Sequence, residues 1–271
     1  MFLSRLLPLM LCIAPLGALA HEFWIEPETY QVAPGAPLKG YFKNGENFKG
    51  ASLSYFDRSA ARFEMRAEGQ TTVITPRSGD SPALDVPAPV EDGLVSVVHE
   101  TTPSFVTYRE WAKFMKFVAH KDFASAEADH NAAGWPQENF RERYTRHAKA
   151  LFAVGSGRGM DQAMGLKTEF TALTNPYAAD FDNVIHVALT FEGAPRPDAQ
   201  VEVFDRAPDG EVTVTLHRTD AAGEARIAVT PGHSYLFDAV VLQAATDQGD
   251  KPERPILWDT FWAALTFAVP Q

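Results

Sequence analysis

The chain has 271 residues, 45% hydrophobic and 22% charged, with 18 Gly and 19 Pro, a composition that excludes a disordered, collagenous or polytopic membrane protein. Its formal net charge of −11 excludes a phosphate-tracking nucleic-acid surface, which needs an excess of Lys and Arg. The length suffices for one large or two small domains, each with a real core.

The first segment in the chain reads as an address. Arg5 is the only charge before Glu22, and Leu6 to Ala20 is almost wholly apolar, ending Ala18-Leu19-Ala20. A basic start, a short apolar run and an Ala-x-Ala ending predict a secretory signal peptide over 1–20, and hence a periplasmic protein. The run is too short for a membrane helix of ~20 apolar residues, and Pro8 and Pro15 interrupt it. Cys12, the only cysteine, falls inside it, so the mature chain is expected to lack thiolate metal sites, Cys nucleophiles and disulfides. Loss of Arg5 takes the mature side-chain charge from −11 to −12.

Cleavage after Ala20 would create a chemical group. His21 would then carry an α-amine and an imidazole on one residue, and the amine nitrogen and Nδ1 can chelate a single ion. Their ordinary pKa values of ~8 and ~6.5 let a metal displace both protons near neutrality. Two nitrogens suit Cu(II), Ni(II), Co(II) or Zn(II). The bland alternative is a frayed, unused terminal histidine.

Beyond His21 the pattern predicts a mainly β protein of two β-sandwich domains with a helical insertion between them. Leu38–Phe42, Ser52–Phe56, Thr71–Ile74 and Leu94–Val98 read as strands separated by Pro/Gly/Asp turns, giving an N-terminal sandwich domain over 21–160. Within it a helical section is expected over about 107–155. Thr107-Tyr108-Arg109-Glu110 has capping-box form, with Tyr108, Trp111, Met115 and Val118 following at helical spacing. A short Ala-rich helix is expected over 123–131. Phe140, Tyr144, Ala148 and Leu151 form an apolar stripe that predicts a third helix ending at Gly155. Gly155-Ser156-Gly157-Arg158-Gly159 lacks the Gly-Lys-Ser/Thr of a phosphate loop and reads as a linker. Over 161–271, seven strand-like runs from Leu166–Leu173 to Thr260–Val269 predict an immunoglobulin-like or prealbumin-like sandwich. The last run is too short to anchor in a membrane, so no membrane-spanning segment is expected in the mature chain.

Without thiols, a transition-metal site must come from His, Asp, Glu and the new amine. His120 and His130 flank the Ala-rich helix with Asp122, Glu127 and Asp129 between them, and His99 ends the strand leading into the helical section. With His21 they are the candidate ligands. Each has a structural alternative: a cation at a helix C-terminus for His120, a surface residue for His130, a core-edge imidazole for His99. His186 and His217 point away from apolar faces, His233 sits in a Gly turn, and His147 lies among Arg143, Arg146 and Lys149, so all four are weaker. Arg141, Arg143, Arg146 and Lys149 read as a solvated helix face, and Trp24, Trp258 and Trp262 as core or rim aromatics. Neither a Gly-x-Ser-x-Gly, a His-Glu-x-x-His nor a dinucleotide fingerprint occurs, so no enzymatic activity is expected.

The opening His21-Glu22-Phe23-Trp24-Ile25-Glu26-Pro27, with Glu100-Thr101-Thr102-Pro103-Ser104, Arg141 to Arg146, Asn175-Pro176-Tyr177, Gly193-Ala194-Pro195 and Trp258 to Phe267, resembles a bacterial family known as a domain of unknown function. Its members are described as periplasmic components of cobalt or nickel uptake systems, NikK-like or CbiK-like. The resemblance implies a secreted two-domain β protein that captures Ni(II) or Co(II), with His21 as a ligand, and hands the ion to a membrane uptake transporter or an outer-membrane receptor. Two alternatives stay open. One is a copper histidine-brace protein, an oxygenase or a carrier. The other is a structural or adhesive module that binds no metal.

Overall fold

A computed structural model describes residues 21–271; the expected signal peptide and Cys12 lie outside the described residues. In chain order the elements are β1 (Glu22–Pro27), β2 (Gln31–Val32), β3 (Pro37–Glu46), β4 (Lys49–Leu53), β5 (Ala60–Ala67), β6 (Gln70–Val73), β7 (Leu84–Pro87), β8 (Gly93–Thr101) and β9 (Ser104–Tyr108). Helices α1 (Trp111–His120) and α2 (Ala126–Ala132) follow. The rest is β10 (Phe140–Val154), β11 (Thr168–Ala172), β12 (Val184–Phe191), β13 (Ala194–Pro195), β14 (Gln200–Arg206), β15 (Val212–Arg218), β16 (Glu224–Ala228), β17 (Ser234–Ala244) and β18 (Ile256–Ala268). The protein is mainly β, with a short helical insertion, as the turn-punctuated runs imply.

The segment expected as a third helix is instead the longest strand, β10. It pairs in parallel with β18, and on its other edge antiparallel with β9 and then β8. Every residue from Thr145 to Val154 is buried. A strand covered on both faces carries apolar residues without alternation, so four of them fell at helical spacing by coincidence. Nor is the basic run a solvated face. Arg143 forks onto both oxygens of Asp259 at 2.7 and 2.9 Å, and Arg146 and Lys149 are buried. The N-terminal signal for α1 was also displaced: Tyr108 ends β9, and Glu110 precedes the helix without capping it through its side chain.

One ten-stranded sheet, β15-β14-β17-β18-β10-β8-β5-β6 with β2 and β9 also on β10, takes strands from both sides of residue 160. The expected domain boundary falls in the connection between β10 and β11, and the β10–β18 pairing runs across it. Pleating sends alternate residues of these strands to opposite faces. Leu151, Ala153, Leu265 and Phe267 pack on Ile185, Val187 and Leu189 of the β11-β12-β13/β16 sheet. Ala148, Ala150, Phe152 and Ala264 pack on Trp24, Ile25 and Phe42 of the sheet formed by β1, β3, β4 and β7. A third cluster seats α1 and α2, through Phe114, Phe117 and His130, on Trp258 and Trp262 of β18. All three tryptophans singled out in the sequence are thus core residues.

Candidate metal centre

The geometry begins with β1. Trp24 is fully buried edge-on against Phe48, and its indole N–H donates to Glu26, which also accepts from Arg206. That anchor, with the Glu22↔Gly45 register on β3, fixes the first strand residue, Glu22, with its side chain buried. From the opposite direction, α1 ends at His120, and the backbone N–H of Lys121 closes the helix on the Phe117 carbonyl. A helix C-terminus favours cationic side chains, and two of them, His120 and Lys121, project here. The third contribution is a cross-strand pair: Glu202 of β14 stands directly opposite Asp238 of β17.

Two carboxylates facing each other across a ladder repel. Lys121 answers that repulsion. Its ammonium, buried to 2% side-chain exposure, donates to Asp238 at 3.0 Å and to Glu202, lies 3.6 Å from Glu22 Oε1, and sits over the Trp262 ring. His120, half-exposed, brings Nε2 to 3.0 Å from Glu202 Oε1. Glu22, His120 and Glu202 each offer a donor atom within 4.8 Å of the others, and among the described residues they are the one such group of three.

Hydrogen bonding in this cluster is incomplete. Three acids share Lys121, the buried guanidinia of Arg146 and Arg196 act on Asp238 without bonding to it, and both Glu22 Oε2 and Asp238 Oδ1 are buried with no hydrogen-bond partner. Burial, with the negative charge of Asp238 behind it, pushes the Glu22 carboxyl up to about 7 against the pull of Lys121. Burial likewise raises Asp238. Burial works upward on Glu202 too, but the hydrogen bond from His120 and the charge of Lys121 outweigh it and hold that carboxyl below its ordinary value. The same hydrogen bond raises His120. Lys121 is raised because its three acidic neighbours together outweigh its desolvation. An orphaned buried carboxylate oxygen beside a half-exposed imidazole is a donor set short of a cation. Two carboxylates and an imidazole suit a borderline divalent ion.

Of the four histidines expected as ligands, His120 alone belongs to this group. His21 immediately precedes Glu22; its ring is half-exposed, with Nε2 3.5 Å from Glu46. His99 ends up elsewhere, 3% exposed among Phe23, Phe42 and Phe63, where burial pushes it down to about 3. His130 is a core histidine rather than a surface residue. The Trp258 indole N–H donates to Nδ1, so Nε2 carries the proton and donates to the Pro136 carbonyl. With both nitrogens engaged inside a box of Trp111, Phe114, Trp135, Phe140 and Trp258, it has no lone pair left for an ion. His186, His217 and His233 bond to Glu224, Thr215 and Asp205.

Glu22, Glu202, Lys121 and Asp238 escaped the sequence reading. Asp238 carried a visible signal, a lone acid in the apolar run Tyr235-Leu236-Phe237-Asp238-Ala239-Val240-Val241. Such a charge inside a strand must find a partner.

A family model described as "Domain of unknown function (DUF4198)" matches residues 18–243. No curated protein matches the chain. Among solved structures the chain is similar to the tetra-tandem repeat in the extending region of a large adhesion protein, at 13% identity over 91% of this chain and 49% of that one, with a TM-score of 0.23. The chain therefore spans about half the length of that structure.

Proposed function

The chain belongs to the DUF4198 family, and on that footing we propose that it binds one divalent transition-metal ion through Glu22, His120 and Glu202. The observation that carries this reading is the convergence of donor atoms from Glu22, His120 and Glu202, with a buried Glu22 oxygen left unpartnered near the half-exposed His120. A divalent ion entering from the His120 side would take up the unpartnered Glu22 oxygen, while Lys121 keeps Asp238 and the second oxygen of Glu202.

The finer reading is a periplasmic carrier of Ni(II) or Co(II) that does not itself catalyse a reaction. Export and cleavage after Ala20 would place the His21 amine next to Glu22 and add up to two nitrogens to the site. The half-exposed His120 leaves an approach for the ligands of a membrane transporter that takes the ion. The β11-to-β18 half would serve as a prealbumin-like or immunoglobulin-like scaffold. A second reading, a copper histidine brace, draws on the same juxtaposition, because His120 is the imidazole that converges with Glu22, the neighbour of His21. Among N/O sites copper binds tightest, so affinity rank alone does not separate these readings.

Calorimetric titration of Ni(II), Co(II), Cu(II) and Zn(II) into the exported, processed protein tests the proposal. One saturable site per chain is expected, weakened at least tenfold in Glu202→Gln. Absence of saturable binding would leave the cluster as a structural ion network. Protein retaining one extra N-terminal residue separates the roles: reduced affinity makes His21 a ligand, and unchanged affinity removes it. Copper- and ascorbate-dependent oxygen consumption would favour the brace over the carrier.

A further inference from the structure

A second site borders the carboxylate cluster and shares the Trp262 ring with it. Two cavities, of about 290 and 250 Å³, share a wall made by Asn44, Tyr144 and Arg146. The larger has aromatic sides from Phe23, Phe42 and Phe56 and includes His99 in its lining. The smaller reaches His21 and Trp262.

Arg146 is the unusual member. It is 7% exposed, yet among the described residues its guanidinium forms neither a hydrogen bond nor an ion pair, and Nε and Nη1 are buried without partners. The group lies 3.9 Å above the Trp262 ring and 5.0 Å from Tyr144. The neighbouring acids Asp238, Glu142 and Glu22 act on its charge from a distance but do not hydrogen-bond to it. Glu142 accepts from the Tyr108 and Thr260 hydroxyls, and Asp238 accepts from Lys121. His99, on the same cavity, also makes no ring hydrogen bond, and its Nδ1 is buried and unpartnered. A guanidinium with the three N–H donors of Nε and Nη1 buried and unspent is costly unless a guest takes them up. The guest that matches a planar guanidinium is a carboxylate. The guest that matches walls of Phe23, Phe42 and Phe56 is an apolar ring. Benzene fills an engineered cavity of about 150 Å³, so the larger cavity has room for one ring and a short acidic arm.

We propose that these adjoining cavities bind a small aromatic carboxylate, its ring among Phe23, Phe42 and Phe56 and its acid group on Arg146. The site does not depend on the metal reading, and it is tested on metal-stripped protein. Phenylacetate, phenylacetamide and inorganic phosphate are titrated into the processed full chain, followed by tryptophan fluorescence, since Trp262 lies under the guanidinium. Phenylacetate is expected to saturate the signal at least tenfold more tightly than its amide, and phosphate, lacking a ring, to bind more weakly than either. Phe56→Ala, at the exposed rim, should weaken phenylacetate several-fold. Arg146→Gln should erase the preference for acid over amide. If Arg146→Gln fails to fold, the acid–amide comparison on the unaltered chain decides alone. Equal binding of acid and amide, or no binding of phenylacetate, overturns the proposal.

Discussion

The protein buries two lysines among carboxylates, and only one of the two clusters is complete. Lys149, on β10, donates to Asp161 at 3.1 Å, contacts Glu169 at 2.6 Å and reaches the Gln162 carbonyl at 3.2 Å. Both acids are otherwise filled: Asp161 accepts from the Ser96 hydroxyl and the Ala172 N–H, and Glu169 from the N–H groups of Met164, Gly165 and Leu166. Lys121 has three acids rather than two, and two of their carboxylate oxygens have no partner. The first cluster pins the loop after β10 and is finished as structure. The second is built from the same residue types and leaves two carboxylate oxygens unfilled. A buried charge group with every lone pair used is scaffold; one with unspent oxygens beside a half-exposed imidazole is a receptor.

The largest effect that separates the clusters is on folding. Lys149→Met should lose roughly 3–5 kcal/mol in urea denaturation, because it leaves Asp161 and Glu169 buried without their cation. Added metal should stabilise this variant by no more than it stabilises the unaltered chain. Next is Glu22→Gln in chelator-treated protein. A carboxyl raised from 4.5 to about 7 by folding binds its proton more tightly in the native state, so stability falls as pH rises from 4.5 through 7. The amide has no such penalty. At pH 8 the variant should be more stable than the unaltered chain by up to about 3 kcal/mol, with the gain vanishing near pH 4.5 and metal affinity reduced. An unchanged stability at pH 8 would mean that Glu22 is not short of a cation.

Lys121→Met sharpens the contrast from the other side. It should destabilise the apo protein but strip a competing cation from the acids, so at one fixed Ni(II) concentration its metal-induced gain should exceed that of the unaltered chain (about 2.7 kcal/mol at a hundred times Kd), whereas the gain of Lys149→Met should equal it. Equal metal-induced gains in the two methionine variants would erase the contrast between the clusters. The smallest effect belongs to His99. Folding depresses it from 6.5 to about 3, so the stability it contributes is present above pH 6.5 and is lost as pH falls below that value. Between pH 7 and pH 5 the loss should be about 2 kcal/mol, and His99→Phe should flatten that slope in thermal or urea unfolding.

Much of the strand content was legible because exposed-to-buried alternation survives in half-covered strands. Val184–Phe191 was read with its observed bounds, and β14 to β18 within a few residues. β10 was misread because both its faces are buried, and burial on both sides removes the alternation on which the reading depends. The shared ten-stranded sheet was invisible for a related reason: parallel pairing of β10 with β18 joins residues more than a hundred positions apart, with no turn to announce it. At the candidate site, His120 was legible as a polar ligand type at a helix end. Glu202 and Asp238 were not, because nothing local reveals that β14 and β17 are neighbours or that Lys121 closes over them. His130 was read as a candidate ligand with a surface residue as the alternative, and its partners Trp258 and Pro136 were not legible because tertiary packing sets them.

The central claim is that Glu22, His120 and Glu202 close around a divalent ion. Anomalous diffraction from Ni(II)-loaded crystals of the processed protein, recorded on both sides of the metal's absorption edge, tests it most directly. The account predicts a single anomalous peak about 2.0–2.2 Å from donor atoms of those three residues, with Lys121 still on Asp238. A peak elsewhere, or none at saturating nickel while Lys121 still bridges the acids, would contradict it.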